Sequence, residues 1–231
     1  LITAGRANFI TGGGQIGDTG SELLTSAQFV TLNTNGTGNA FVNTNTNSAF
    51  TTGGAGVNNV TLTQTGNGQR LTAGALGVGI TAAGEVNLLA AAGTNGNLNI
   101  EGNVTAGSIN DITMTTNGTG VITENATSGG TGRLTSNRVF FTTGGGDVGA
   151  SGNPMLVDTS RVIAQTNGTG DVFVSNSRSG QIVTSTVSPT VGSVNGLEYT
   201  VTANGGTATI GQLGINANGN VLIEATWWRR W

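Results

Sequence analysis

The chain has 231 residues, of which 41 are glycine and 8% are charged; lysine, histidine and cysteine are absent, and the net charge is -3. This length fits one large domain or two small ones. The absence of a basic stripe argues against nucleic-acid binding, and without cysteine or histidine there is no disulfide framework and no ordinary zinc or haem site.

The first ordered phrase is "TGGGQIGDTGSELLTS" at residues 11–26. "TLNTNGTGNAFVNT" follows at residues 31–44, where Asn35, Gly36 and Gly38 read as a corner turn. Glycine and asparagine supply the positive φ that sharp turns require. Next, Val60 and Leu62 alternate with Thr61 and Thr63, then Leu98 and Ile100 with Asn97 and Asn99, then Ile112 and Met114 with Thr113 and Thr115. Such period-two alternation, rich in valine and threonine, predicts strands with one buried face. A second "NGTG" turn comprises Asn117, Gly118 and Gly120. No window of twelve residues keeps a helical period, and glycine interrupts most of them.

From residue 143 the opening phrases return. "TGGGDVGASGNPMLVD" repeats residues 11–26 with a shift of 132, and the third turn, Asn167, Gly168 and Gly170, repeats Asn35, Gly36 and Gly38 with the same shift. Val60 then corresponds to Tyr199, a shift of 139, and Gly84 to Gly219, a shift of 135. Val221, Ile223 and Ala225 restore the alternation. Two copies of one unit, about 1–132 and 133–226, thus make up one continuous body, the second copy truncated. The tail, Trp227, Trp228, Arg229, Arg230 and Trp231, breaks the composition. It reads as a cap over the last coil, as a partner interface through cation–π contacts, or as a scar of cloning.

Repetition with drifting insertions favours a solenoid over a sandwich, because each coil contacts only its neighbours. Low charge fits as well, since stacked like charges repel. The expectation is an all-β, right-handed parallel β-helix of about ten coils, at roughly 20–25 residues each and ~4.8 Å apart. Its interior should hold Val60, Leu62, Val86, Leu88, Leu98, Ile100, Ile112, Met114, Val172, Val174, Val221 and Ile223, with the register of Phe41 and Phe173 open.

The phrases "GGGDVGASGNPMLVDTSRVIAQTNGTGDVFVSN", "GGGQIGDTGSELLTSAQFVTLNTNGTGNAFVNT" and "AGEVNLLAAAG" resemble the repetitive passengers of bacterial surface exoproteins. These are the filamentous-haemagglutinin-like, two-partner-secretion adhesins and their giant β-strand-repeat relatives. The likeness covers most of the chain, apart from its last five residues. It implies a right-handed parallel β-helix, secreted or displayed on a bacterial surface, that serves as adhesin, stalk or fibre. No enzyme activity and no cofactor are expected, since there is no lysine or histidine to assist paired acids and few aromatics to stack on sugar rings. The partners expected are neighbouring coils of the same or an identical chain and a surface ligand of unspecified kind, without nucleic acid. No transmembrane segment is expected, because no apolar run reaches ~18 residues. No signal peptide is visible and residue 1 is leucine, so we expect a segment of a longer protein.

The same residues admit other chemistries. "GTGDVFV" is close to a calcium-binding nonapeptide, but Asp171 directly follows Gly170, and the matching positions are Asn39 and Val121. Asp147 with Asp171, or Glu101 with Glu124, are spaced to lie on adjacent coils as a hydrolase pair requires; the alternative is solvated turn carboxylates. Threonine alternation fits an ice-binding array or an ordinary exposed strand. Sequons begin at Asn35, Asn59, Asn103, Asn117, Asn125 and Asn167. A self-assembling filament subunit and a carbohydrate-binding or carbohydrate-cleaving β-helix remain as alternatives to the rod.

Overall fold

The computed structural model describes residues 1–75, 77–91, 94–125, 132–166 and 170–177, and the backbone of strands Ile182–Thr184, Glu198–Asn204, Ala208–Ile210 and Asn220–Thr226. Among the described residues there is no helix, and every pair of named strands is parallel. The chain is a β-solenoid of about seven turns.

Three faces build it. The first stacks Leu23–Thr25, Ala40–Thr44, Val60–Gln64, Val86–Ala90 and Asp111–Thr116, then the later halves of Leu134–Thr143 and Met155–Thr166. Its central inward column runs Leu23, Val42, Leu62, Leu88, Met114, Phe141, Ala164. The second face stacks Arg6–Ile10, Phe29–Asn33, Ser48–Thr52, Arg70–Ala73, Asn97–Ile100 and Ile122–Glu124. Its column is Ala7, Val30, Phe50, Ala73, Ile100, Glu124. The third face is short and stacks Ile80, Val104, Leu134 and Val157.

The alternation read from the sequence is the burial pattern. Val60–Gln64, Val86–Ala90 and Ala40–Thr44 each alternate buried with half-buried residues. Period two places every second side chain in the interior, and burying a leucine or valine contributes roughly 1.5–3 kcal/mol. The ten predicted interior residues that fall where side chains are described, from Val60 to Val174, are all buried. Val221 and Ile223 lie on a strand whose side chains are outside the described residues. Phe41 and Phe173 are half-buried and face outward, between buried neighbours.

Two expectations need correction. The turns number about seven rather than about ten; first-face steps, from 19 residues (Leu23 to Val42) to 27 (Ile112 to Val139), stay close to the expected length, and residues 1–177 divided by such steps make about seven turns. The carboxylates were not all solvated turn residues. Glu124 is only 6% exposed, takes the place of Ile100 one coil on, and accepts a hydrogen bond from the Gly132 backbone N–H at 3.2 Å. A buried carboxylate is costly without such a donor.

The two repeats share one stacking register. Arg6 pairs with Phe29, and 132 residues later Arg138 pairs with Arg161. Leu23, Val42, Leu62 and Leu88 stack in order in the first repeat; Met155, Val174, Val201 and Ile223 do so in the second. These residues differ by 132, 132, 139 and 135, the shifts read from the sequence. A small hairpin excursion also recurs: Asp18 bridges Ser21, and Ala150 bridges Asn153.

Candidate interaction surfaces

The turns come first. Asn35 and Gly36 have φ of 56° and 77°, and Gly118 has φ of 54°, the left-handed region where glycine and asparagine cost least. Residues 34–38 connect the second face to the first, and residues 116–120 connect the first to the second. At each turn a buried threonine precedes the Asn-Gly pair and donates its hydroxyl to the carbonyl of the closing glycine: Thr34 to Gly38 at 2.5 Å, Thr116 to Gly120 at 2.7 Å, Thr166 to Gly170 at 3.0 Å. The threonine is the part of this device that reading "NGTG" alone overlooked. The closing glycine is set by stacking. A Cβ on Gly38, Gly120 or Gly170 would lie 2.1, 2.2 or 2.1 Å from the carbonyl oxygen of Gly14, Gly96 or Gly146 on the adjacent coil. Asn167 and Gly168 lie outside the described residues, as does the whole tail Trp227, Trp228, Arg229, Arg230 and Trp231.

Asparagine ties coil to coil. The Asn39 carboxamide oxygen accepts from the Asn58 and Asn59 side chains, Asn59 accepts from the Glu85 N–H, and Asn97 accepts from the Val121 N–H. These links span 19 to 26 residues, one coil. Asn59 and Asn117 are sequon asparagines whose side-chain nitrogens already donate, to Asn39 and to Ala91.

The paired acids meet different fates. Asp147 accepts from the Asp171 backbone N–H at 2.8 Å, so the two do sit on adjacent coils. Glu101 accepts from Asn99 at 3.0 Å on the outside, while Glu124 is buried within. Glu101 and Glu124 therefore do not face one groove. Among the described residues no three acidic, histidine or cysteine side chains gather as metal ligands do. The outward threonines form no continuous array: Thr61 and Thr113 are separated by Asn87, and Phe140 and Ile163 follow.

The outer surface of the second face carries a groove that the sequence reading did not find. It holds about 300 Å³ between Gln28, Phe29, Asn47, Arg70, Thr72 and Glu101. A smaller hollow of about 160 Å³ continues it past Arg6, Ala49 and Val78. Phe29 is its aromatic wall, with the Arg6 guanidinium 5.1 Å from the ring centre. This mix of one ring, amides and both charge signs suits a polar, neutral ligand. Residues 28, 47, 70 and 101 are brought together only by stacking. The one sequence signal for them is polar residues spaced by a coil length.

One ion pair stands out. Arg138 donates to Asp111 through Nε at 2.9 Å and Nη2 at 2.5 Å, one coil below it. The hydrogen bonds to Asp111 raise the Arg138 pKa, helped by attraction from Asp111 and Glu85 and opposed by burial. Arg138 also lies 5.4 Å over the Phe140 ring. No helix is long and apolar enough to cross a membrane among the described residues. No family model matches the chain, and neither a curated protein nor a solved structure shows significant similarity to it.

Proposed function

We propose that the chain is a structural rod segment of a secreted or cell-surface bacterial adhesin or fibre, without catalysis of its own. The observation that supports this most is the unbroken first-face column from Leu23 to Ala164, continued in register by asparagine links outside. Such a stack carries load from coil to coil, since each coil is hydrogen-bonded to the next along its length. The resemblance to filamentous-haemagglutinin-like exoproteins supports the surface location.

Two measurements test it. Pulled by its ends in single-molecule force spectroscopy, the chain should lengthen coil by coil, each coil of 19–27 residues releasing roughly 65–95 Å of extended chain. Collapse of the whole body in one step at low force would overturn the load-bearing role. Protease shaving of intact producing cells should release peptides of the chain; their complete retention inside would overturn the location.

The groove beside Phe29 favours a second reading, a carbohydrate-binding module. Glycan binding abolished by Arg70→Ala would establish it, because that side chain lines the groove and contributes nothing to the interior.

A further inference from the structure

Four Asn-Gly steps lie among the described residues, each at a corner between strands: Asn35–Gly36, Asn67–Gly68, Asn95–Gly96 and Asn117–Gly118. In such a step the glycine nitrogen can attack the asparagine side-chain carbon, since no Cβ on the glycine shields it. The stack restrains the four unequally. The Gly36 N–H donates to the Gly56 carbonyl at 3.1 Å, and the Gly68 N–H to the Thr94 carbonyl at 2.8 Å. Each bond reaches the adjacent coil and occupies the attacking nitrogen. Among the described residues the N–H groups of Gly96 and Gly118 make no such bond. Gly96 is buried, so water does not replace the missing partner. The carboxamides differ as well. The Asn95 oxygen accepts from the Thr119 backbone N–H at 2.9 Å. The Asn117 oxygen is buried without a partner, and its nitrogen donates to the Ala91 carbonyl at 2.5 Å. Asn67 has a donor on its oxygen, the Thr94 N–H at 3.0 Å, but its glycine is tied.

We propose that Asn95 is a self-modification site, at which the folded chain converts asparagine to aspartate and isoaspartate. Alone of the four, it combines an untied glycine nitrogen with a donor on the carbonyl oxygen, and its side chain is exposed to water. That donor stabilises the charge that develops on the oxygen when the carbon is attacked. The Gly96 nitrogen bonds to Asn95 Cγ and closes a five-membered succinimide; the side-chain nitrogen leaves as ammonia, taking the Gly96 proton. Water, the sole co-reactant, then opens the ring. Opening at Cγ leaves aspartate, and opening at the main-chain carbonyl leaves isoaspartate. The two products act differently on the stack. Aspartate keeps an oxygen for the Thr119 N–H. Isoaspartate runs the chain through its side chain and lengthens the corner ahead of Asn97–Ile100 by one methylene. The inference holds for a rod and for a binding module alike.

The test incubates the full chain in mildly alkaline buffer, folded or in guanidinium. Peptides taken at intervals are scored by mass spectrometry for the amide-to-acid mass gain and for isoaspartate. In the folded chain Asn95 should convert roughly tenfold or more faster than Asn35 and Asn67, and faster than Asn117. In guanidinium, where corners and coil-to-coil bonds are lost, the four rates should converge, which shows that the fold and not the dipeptide sets the order. Conversion at Asn95 as slow as at Asn35 and Asn67 in the folded chain would overturn the proposal. So would a rate at Asn117 equal to that at Asn95 or above it, because the Thr119 N–H would then contribute nothing.

Discussion

Coil 40–59 and coil 86–111 belong to one stack yet enclose different interiors. The shorter coil has two full faces, Ala40–Thr44 and Ser48–Thr52, and returns through glycines 53, 54 and 56. The longer coil adds the third face at Val104–Thr105. Its inward residues Val86, Leu88, Ala90, Leu98, Ile100, Val104 and Ala106 are apolar and buried, with Asn99 the buried polar residue among the described ones. The shorter coil instead places Thr44 and Ser48 inside its corner. Their hydroxyls meet at 2.8 Å, and Ser48 donates to the Ala27 carbonyl at 2.7 Å. A tight corner turns backbone polar groups inward, so interior positions there must supply hydrogen bonds. The same corner position is apolar at Ala90 but polar at Gln64 and Thr116, each hydrogen-bonded to a backbone carbonyl of a corner. Phe50 fills what is left of the narrow interior, between Val30 and Ala73.

The strongest way to break this comparison is to empty both interiors. Phe50→Ala should cost about 3–5 kcal/mol and Leu98→Ala about 2–5 kcal/mol, read from guanidinium unfolding of the full chain. A smaller loss at Phe50 than at Leu98 would mean that the narrow coil does not depend on its aromatic. Next in size is a turn substitution. Gly120→Ala sets a methyl 2.2 Å from the Gly96 oxygen and should cost about 1–3 kcal/mol, as overpacking does. Gly12→Ala, with open space around it, should leave the midpoint unchanged, which isolates stacking from composition.

Ser48→Ala sharpens the polar side of the comparison. It strands the Ala27 carbonyl and leaves the Thr44 hydroxyl only its long bonds to the Thr46 backbone, a loss of about 1–3 kcal/mol. An unchanged midpoint would show that water replaces the serine and that the corner is not closed. The smallest effect belongs to the surface. Asp111→Asn should cost less than about 1 kcal/mol, and less still at high salt. Pairing raises the Arg138 pKa, so the arginine's share of this stability is present at neutrality and is lost only in strong alkali. A melting temperature that falls between pH 6 and 9 because of this pair would contradict that sign.

How much could be read beforehand differs by feature. Val60, Leu62, Leu98 and Ile112 announce themselves, since alternation is local and a single strand displays it. The turn at Asn35 and Gly36 is equally local, because its backbone angles decide its residues. Glu124 was misjudged for the opposite reason. It ends a short strand in an alternation that also reads as an exposed turn, and only the Gly132 N–H, eight residues on, makes its burial tolerable. The groove of Gln28, Phe29, Asn47, Arg70 and Glu101 was invisible, since no local pattern links residues a coil apart.

The sequence by itself determined the strands, the turns, the repeat and the parallel stacking that follows from them, because each depends on neighbours along the chain or on self-similarity. Tertiary structure alone decided how many faces a coil has, which coils are narrow, and which polar residues share a groove or lie inside. Residues 20 to 30 apart become neighbours at ~4.8 Å only after the register between coils is set. That register is chosen by the whole stack at once, through the columns from Leu23 to Ala164 and from Ala7 to Glu124.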